Sequence, residues 1–238
     1  MSLKKTPDLY VPFLMGVSFF ALFLVGTLTV HPPAIQGDLP WRRPAIGSIY
    51  ALTCILGISA VFFPRRCSRP FHYDVGMNAR KTRSSQDASI VFGLRIVHGH
   101  HPHCEDFSGH EFRVGDKTFC VGCLGFFFGA LVSLVGTVLY FFSGWQIGQE
   151  SVLAVASGIS GVALGLLQLP IFKIRGFLRL FPNAFLVVGT FLLLIGLDTL
   201  VRSVVVDLFL LTLSAFWVWT RISLSRWDHM RVCQACGF

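Results

Sequence analysis

Apolar residues in this chain fall in long unbroken runs rather than at helical or strand-like intervals. Six runs stand out, at about 11–30, 45–63, 122–143, 152–172, 183–200 and 203–220. Crossing the hydrocarbon core of a bilayer takes about 20 residues at roughly 1.5 Å each. Each run is long enough, or nearly so, for one passage. Backbone amides and carbonyls find no water inside lipid, so all six are expected to be helical. Pro44 and Pro64 bracket the second run, and a basic stretch, 173–179, follows the fourth. The last two runs are short and separated by a few residues around Arg202, which predicts a tight helical hairpin.

The polar positions between the runs are unevenly charged. Six passages put both termini on the same side as the second-to-third and fourth-to-fifth connections. That side collects 17 lysines and arginines, against Arg42, Arg43 and Arg202 on the other. The excess of cations in cytoplasmic loops predicts cytoplasmic termini. Four segments follow: 1–63 with the first two helices, a His/Cys-rich cytoplasmic loop module at 64–121, helices three to six at 122–220, and a cytoplasmic tail at 221–238.

Composition agrees. Of the 238 residues, 53% are hydrophobic and 13% charged, whereas a soluble domain carries about 25% charged residues. So few ionic side chains cannot solvate a globular surface, and lipid is the expected solvent. The first run begins near Val11 without a small-residue cleavage site, so it reads as a retained helix rather than a signal peptide. The net charge of +8 belongs to the loops. Arg80-Lys81-Thr82-Arg83 suits anionic lipid headgroups. Nucleic acid is disfavoured, because the basic run has neither aromatic interleaving nor a fold signature.

The loop 64–121 is too small to fold unaided, and metal is a usual staple for such modules. Two Cys-x-x-Cys turns, Cys120-Val-Gly-Cys123 and Cys233-Gln-Ala-Cys236, each present two thiols to one ion. Together they would supply the four ligands of a tetrahedral structural zinc. Both fall at the cytoplasmic end, where thiols stay reduced; a dithiol redox pair is the competing reading of either turn. Upstream lies His98-Gly-His100-His101-Pro-His103-Cys104, whose imidazole and thiolate donors also suit zinc. Two arrangements are open. Either Cys104 or a nearby histidine joins Cys120 and Cys123, or the four paired cysteines close one site and the histidines form another. A solvated, metal-free histidine turn is the plainer alternative.

Cys104, Phe112, Gly115, Cys120-x-x-Cys123-x-Gly125 and Gly129, leading into an apolar helix, resemble an uncharacterised prokaryotic family of small multi-pass membrane proteins. The family signature runs Cys-His, Arg-Ser-Phe, a Gly, then Cys-x-Arg-Cys-x-Gly-x-x-x-Gly. Glu105, Gly122 and His110-Glu111-Phe112 depart from it. The resemblance covers about thirty residues and implies that Cys104, Cys120 and Cys123 act together, in a prokaryotic plasma membrane. It implies no activity.

The expected fold class is thus all-α, with six transmembrane helices and a small zinc-stapled cytoplasmic loop module. The functional expectation is a non-enzymatic assembly or interaction subunit, with a protein partner or a second copy of itself. Its metal site would clamp the loop to the helix ends. The alternative is a membrane metalloenzyme or metal handler built on the 98–104 cluster. No Walker loop, Gly-x-Ser-x-Gly or His-Glu-x-x-His motif is present, and the Asp-His-His-Cys motif of protein S-acyltransferases is missing. A transporter would need polar groups at mid-membrane, and the runs show almost none. Asp198 and Arg202, four residues apart, are expected to pair on one helix face, with Asp207 close by. Gly125-x-x-x-Gly129 and Gly161-x-x-x-Gly165 are expected to seat helices against one another within the chain.

Overall fold

The computed structural model describes residues 9–33, 39–62, 88–91, 94–97, 111–114, 117–172 and 176–235, with side chains for residues 9–33, 39–61, 120–172 and 176–228. Six helices in it are long and apolar enough to cross a bilayer. They are α1 (Tyr10–Val30), α2 (Arg42–Phe62), α3 (Val121–Thr137), α4 (Ser151–Leu167), α5 (Leu180–Val201) and α6 (Val204–Ala235). The chain is a multi-pass integral membrane protein by the length and composition of these helices.

Helix boundaries shift where local chemistry decides them. α2 starts at Arg42 and takes Pro44 into its first turn, where a missing N–H costs nothing. α4 stops at Leu167 and residues 168–171 form a turn, because Pro170 disfavours helix in the residue before it. A 3₁₀ turn, Gly176–Arg179, leads into α5. α3 ends in a π-helical turn, Val138–Phe142, packed against Gly47 of α2; a Cβ there would lie 2.5 Å from that of Phe141. α5 and α6 are separated only by Arg202 and Ser203, the tight hairpin expected. The expected tail is different: α6 runs unbroken for 32 residues to Ala235.

The segment 64–121, expected as a loop, contributes two antiparallel strand pairs. β1 (Ala88–Val91) pairs with β2 (Leu94–Val97), with Ala88 opposite Val97. β3 (Glu111–Val114) pairs with β4 (Lys117–Cys120), with Glu111 opposite Cys120. β4 passes directly into α3, so the second hairpin is continuous with a membrane helix.

α5 is the axis of the bundle. It buries 61% of its most apolar window, against 22% for α2 and 39% for α6. Lipid is as apolar as leucine, so packing between membrane helices relies on close backbone approach rather than on expulsion of water. Glycines permit that approach on both sides of α5. A Cβ on Gly125 or Gly129 of α3 would meet the carbonyl oxygens of Leu180 at 2.5 Å or Ala184 at 2.7 Å. On α4, Gly161 faces the Phe185 oxygen at 2.7 Å and Gly165 faces the Leu186 Cβ at 2.5 Å. Both small-residue motifs therefore pack within the chain, as expected.

Gly129→Val is accordingly predicted to cost at least ~3 kcal/mol, beyond ordinary overpacking because the obstacle is backbone. Thermal unfolding in detergent should show a marked fall in midpoint. Gly57→Leu, at a site with open space around the glycine, should leave the midpoint unchanged.

Candidate functional site

At the end of the bundle that carries the termini, the β3–β4 hairpin delivers Cys120 to the N-cap of α3. Cys120 keeps an extended backbone (φ −74°, ψ 118°) and makes no side-chain capping bond. Cys123 follows in the first helical turn, close enough for its thiol to feel that of Cys120. Gly122 lies between them, and a Cβ there would be 3.8 Å from both Cys120 Sγ and Asn183 Nδ2. Arg221 of α6 is buried beside both sulfurs, and its Nε has no partner among the described residues. Arg179, also buried, donates from Nη2 to Asp228 at 2.8 Å. Next to it, Asn183 donates to the Arg179 carbonyl at 2.7 Å and accepts from Gln168 Nε2 at 2.8 Å.

Among the described residues, these groups set two guanidinium cations and one carboxylate near the two sulfurs. The N-terminal end of α3 adds a partial positive charge. The Arg221 guanidinium offsets part of the cost of placing negative charge on these half-buried sulfurs. Cys120 and Cys123 are brought together as expected. His100, His101, His103, Cys104 and Cys236 lie outside the described residues, and Cys233 falls in the last turn of α6. Among the described residues, no group of three or more His, Cys, Asp or Glu side chains converges as a metal site would require. The donor set there is two soft thiols, which suits zinc as far as it goes.

A second cluster lies at the opposite end. Asp198 does not pair with Arg202. Arg202 adopts a left-handed backbone (φ 50°) that ends α5, and its side chain turns out to the exposed surface. Asp198 is served by other helices instead. Tyr140, on the π turn, donates to its Oδ2 at 2.6 Å, Arg42 Nη1 stands 2.7 Å from Oδ1, and Arg43 Nε is 3.3 Å from Oδ2. The same Arg42 nitrogen donates to Asp207 Oδ2 at 2.6 Å. Arg42 is 1% exposed and both aspartates 0%. The Arg42–Asp198 contact lacks hydrogen-bond alignment, and Arg42 Nε, Arg42 Nη2 and Asp207 Oδ1 have no partner among the described residues.

Mid-membrane polarity is also richer than the sequence suggested. Tyr50 and Thr190 share a hydrogen bond of 3.0 Å, and the Val187 carbonyl accepts from Tyr50, Ser133 and Thr190. The group is buried, with Gly129 packed against Val187, and it joins α2, α3 and α5. Nothing in the spacing of Tyr50, Ser133 and Thr190 within their own runs marks them as one cluster.

Searches of protein-family models, curated proteins and solved structures find no match to this chain.

Removing one partner of a buried ion pair strands the other, at a cost of about 3–5 kcal/mol. Arg42→Met should therefore lower the unfolding midpoint sharply by leaving two buried carboxylates. Adding Asp198→Asn and Asp207→Asn to that variant should recover part of the loss, because no charge is then left unpaired.

Proposed function

We propose that this is a zinc-binding, non-enzymatic membrane protein, an assembly or interaction subunit whose metal site clamps the loop 64–121 to the ends of the helices. The observation that carries the reading is the placement of Cys120 and Cys123 side by side at the junction of β4 and α3. A metal held there fixes the hairpin to the bundle without a further hinge. The charge around the pair suits it, since Arg221 and Arg179 can balance anionic sulfur ligands.

The length of α6 favours one ligand set over the other. Cys233 lies 12 residues past Arg221 in an unbroken helix, roughly 18 Å further along the axis at 1.5 Å per residue. Sulfurs around one zinc, each about 2.3 Å from it, must lie within about 4 Å of one another. We therefore assign the remaining ligands to Cys104 and one of His100, His101 or His103 rather than to Cys233 and Cys236. The resemblance that groups Cys104 with Cys120 and Cys123 points the same way. The cation asymmetry of the connections supports a cytoplasmic position for this site, where the clamped basic loop offers a surface to a protein partner, to a second copy of the chain or to anionic headgroups.

Metal analysis of the purified full-length protein tests the assignment. One zinc per chain is expected, lost in Cys104→Ser, Cys120→Ser and Cys123→Ser and retained in Cys233→Ser and Cys236→Ser. Full zinc content in Cys120→Ser would remove the reading. Native mass spectrometry of membrane complexes should find a partner or an oligomer with the wild-type chain and lose it with Cys120→Ser.

A further inference from the structure

We propose that a groove over α4 and α5, beneath the connection from α3, binds a phospholipid with an ammonium-bearing headgroup, such as phosphatidylethanolamine. One acyl chain lies in the trough and the headgroup rests at its mouth. The groove is at the end of the bundle opposite the termini, and the inference is independent of the metal reading.

The trough encloses about 230 Å³. Its floor is Phe191 and Ile195 of α5, 5% and 2% exposed. Glu150, Leu153, Ala154 and Ser157 line its side, at the spacing that puts residues on one face of a helix. From Glu150 to Ser157 that face runs about 10 Å along the axis. The hollow exists because Ala154 and Ser157 are small. It takes a chain rather than a helix from a second copy, since a helix with its side chains is about 10–12 Å across.

Position decides what reaches it. Leu153 is 66% exposed and Ser157 is exposed as well, and both belong to a stretch long and apolar enough to cross a bilayer. The solvent along that stretch is hydrocarbon, so an acyl chain is the apolar group at hand.

The mouth has different chemistry. Trp145, 52% exposed, and Glu150, at the end of a 3₁₀ turn before α4, stand there. Glu150 makes no ion pair among the described residues. Its carboxylate attracts an ammonium group and repels a headgroup whose phosphate charge is not offset, such as phosphatidylglycerol. The indole face of Trp145 also accepts a cation, and its N–H can donate to a phosphate oxygen. Tryptophan is a usual residue at headgroup level. An acidic, aromatic mouth above an apolar trough thus matches the two ends of one amphiphile.

The test places the full chain in nanodiscs of phosphatidylethanolamine and phosphatidylglycerol in equal amounts, with the same acyl chains. A trace of phosphatidylethanolamine carries a photoactivatable group in its acyl chain. Peptide mapping after illumination should find crosslinks concentrated at 153–157 and 191–195. Ser157→Leu and Ala154→Leu, which fill the trough, should each cut that yield several-fold. Native mass spectrometry should find phosphatidylethanolamine retained several-fold over phosphatidylglycerol, and Glu150→Gln should abolish that preference while keeping the crosslinks. Three results would each overturn the inference: crosslinks no denser here than on the exposed faces of α1 and α2, wild-type yield in both leucine variants, or equal retention of the two lipids by the wild-type chain. Crosslinks from one copy of the chain into the groove of another would replace the lipid with a protein occupant and overturn it too.

Discussion

The contact between α5 and its two neighbours sets the terms for every other interaction in this bundle. At Leu180, Ala184 and Phe185 the main-chain oxygens of α5 occupy space that a Cβ on α3 or α4 would need. Water cannot drive helices together inside lipid, so van der Waals contact and polar bonds have to do it. Glycine brings the backbones close, and closeness is what allows short side chains to reach across. Ser133 bonds the Val187 carbonyl only because α3 and α5 are so near. The same proximity lets Asn183 border the Cys120–Cys123 turn.

Polar groups are distributed around this contact in three tiers. Arg42, Asp198, Asp207 and Tyr140 tie α2, the end of α3, α5 and α6 at one end. Tyr50, Ser133 and Thr190 tie α2, α3 and α5 in the middle. Arg179, Asn183, Gln168 and Asp228 tie α4, α5 and α6 at the other end. α1 is held separately to α6, through Ser18 with Thr220 and Trp217. On α5 the inward polar residues are Asn183, Thr190 and Asp198, seven and eight residues apart, so two turns of helix separate each tier. Shared geometry makes each bond help its neighbours in fixing one register of α5.

The six passages were legible because lipid imposes a crude rule: about 20 apolar residues make a crossing. The hairpin at Arg202 was legible for the same reason, since too few residues separate two runs to do anything else. Partner choice was not. Asp198 and Arg202 have the right spacing for a helical pair, but Arg202 is needed to end the helix and its left-handed backbone takes the side chain away. Arg42 sits 156 residues from Asp198 in sequence, and no periodicity links them. The hairpins left a faint trace, in short runs of strand-forming residues interrupted by Phe92-Gly93 and Gly115-Asp116. At the thiol site, spacing alone marks Cys120 and Cys123, whereas Arg221 reads as a tail cation because the last apolar run falters after Thr220. Helix propensity carries on past the point where hydrophobicity stops.

That continuation has a mechanical consequence. A helix of 32 residues is about 48 Å long, and the hydrocarbon core accounts for about 30 Å of it. The remaining length stands out as a stiff rod instead of hanging as a tether. Through a rod about 18 Å long, a 10° change in tilt would swing the tip sideways by roughly 3 Å. Small rearrangements among the membrane helices would be felt as displacements at the far end of α6, which makes that tip a lever.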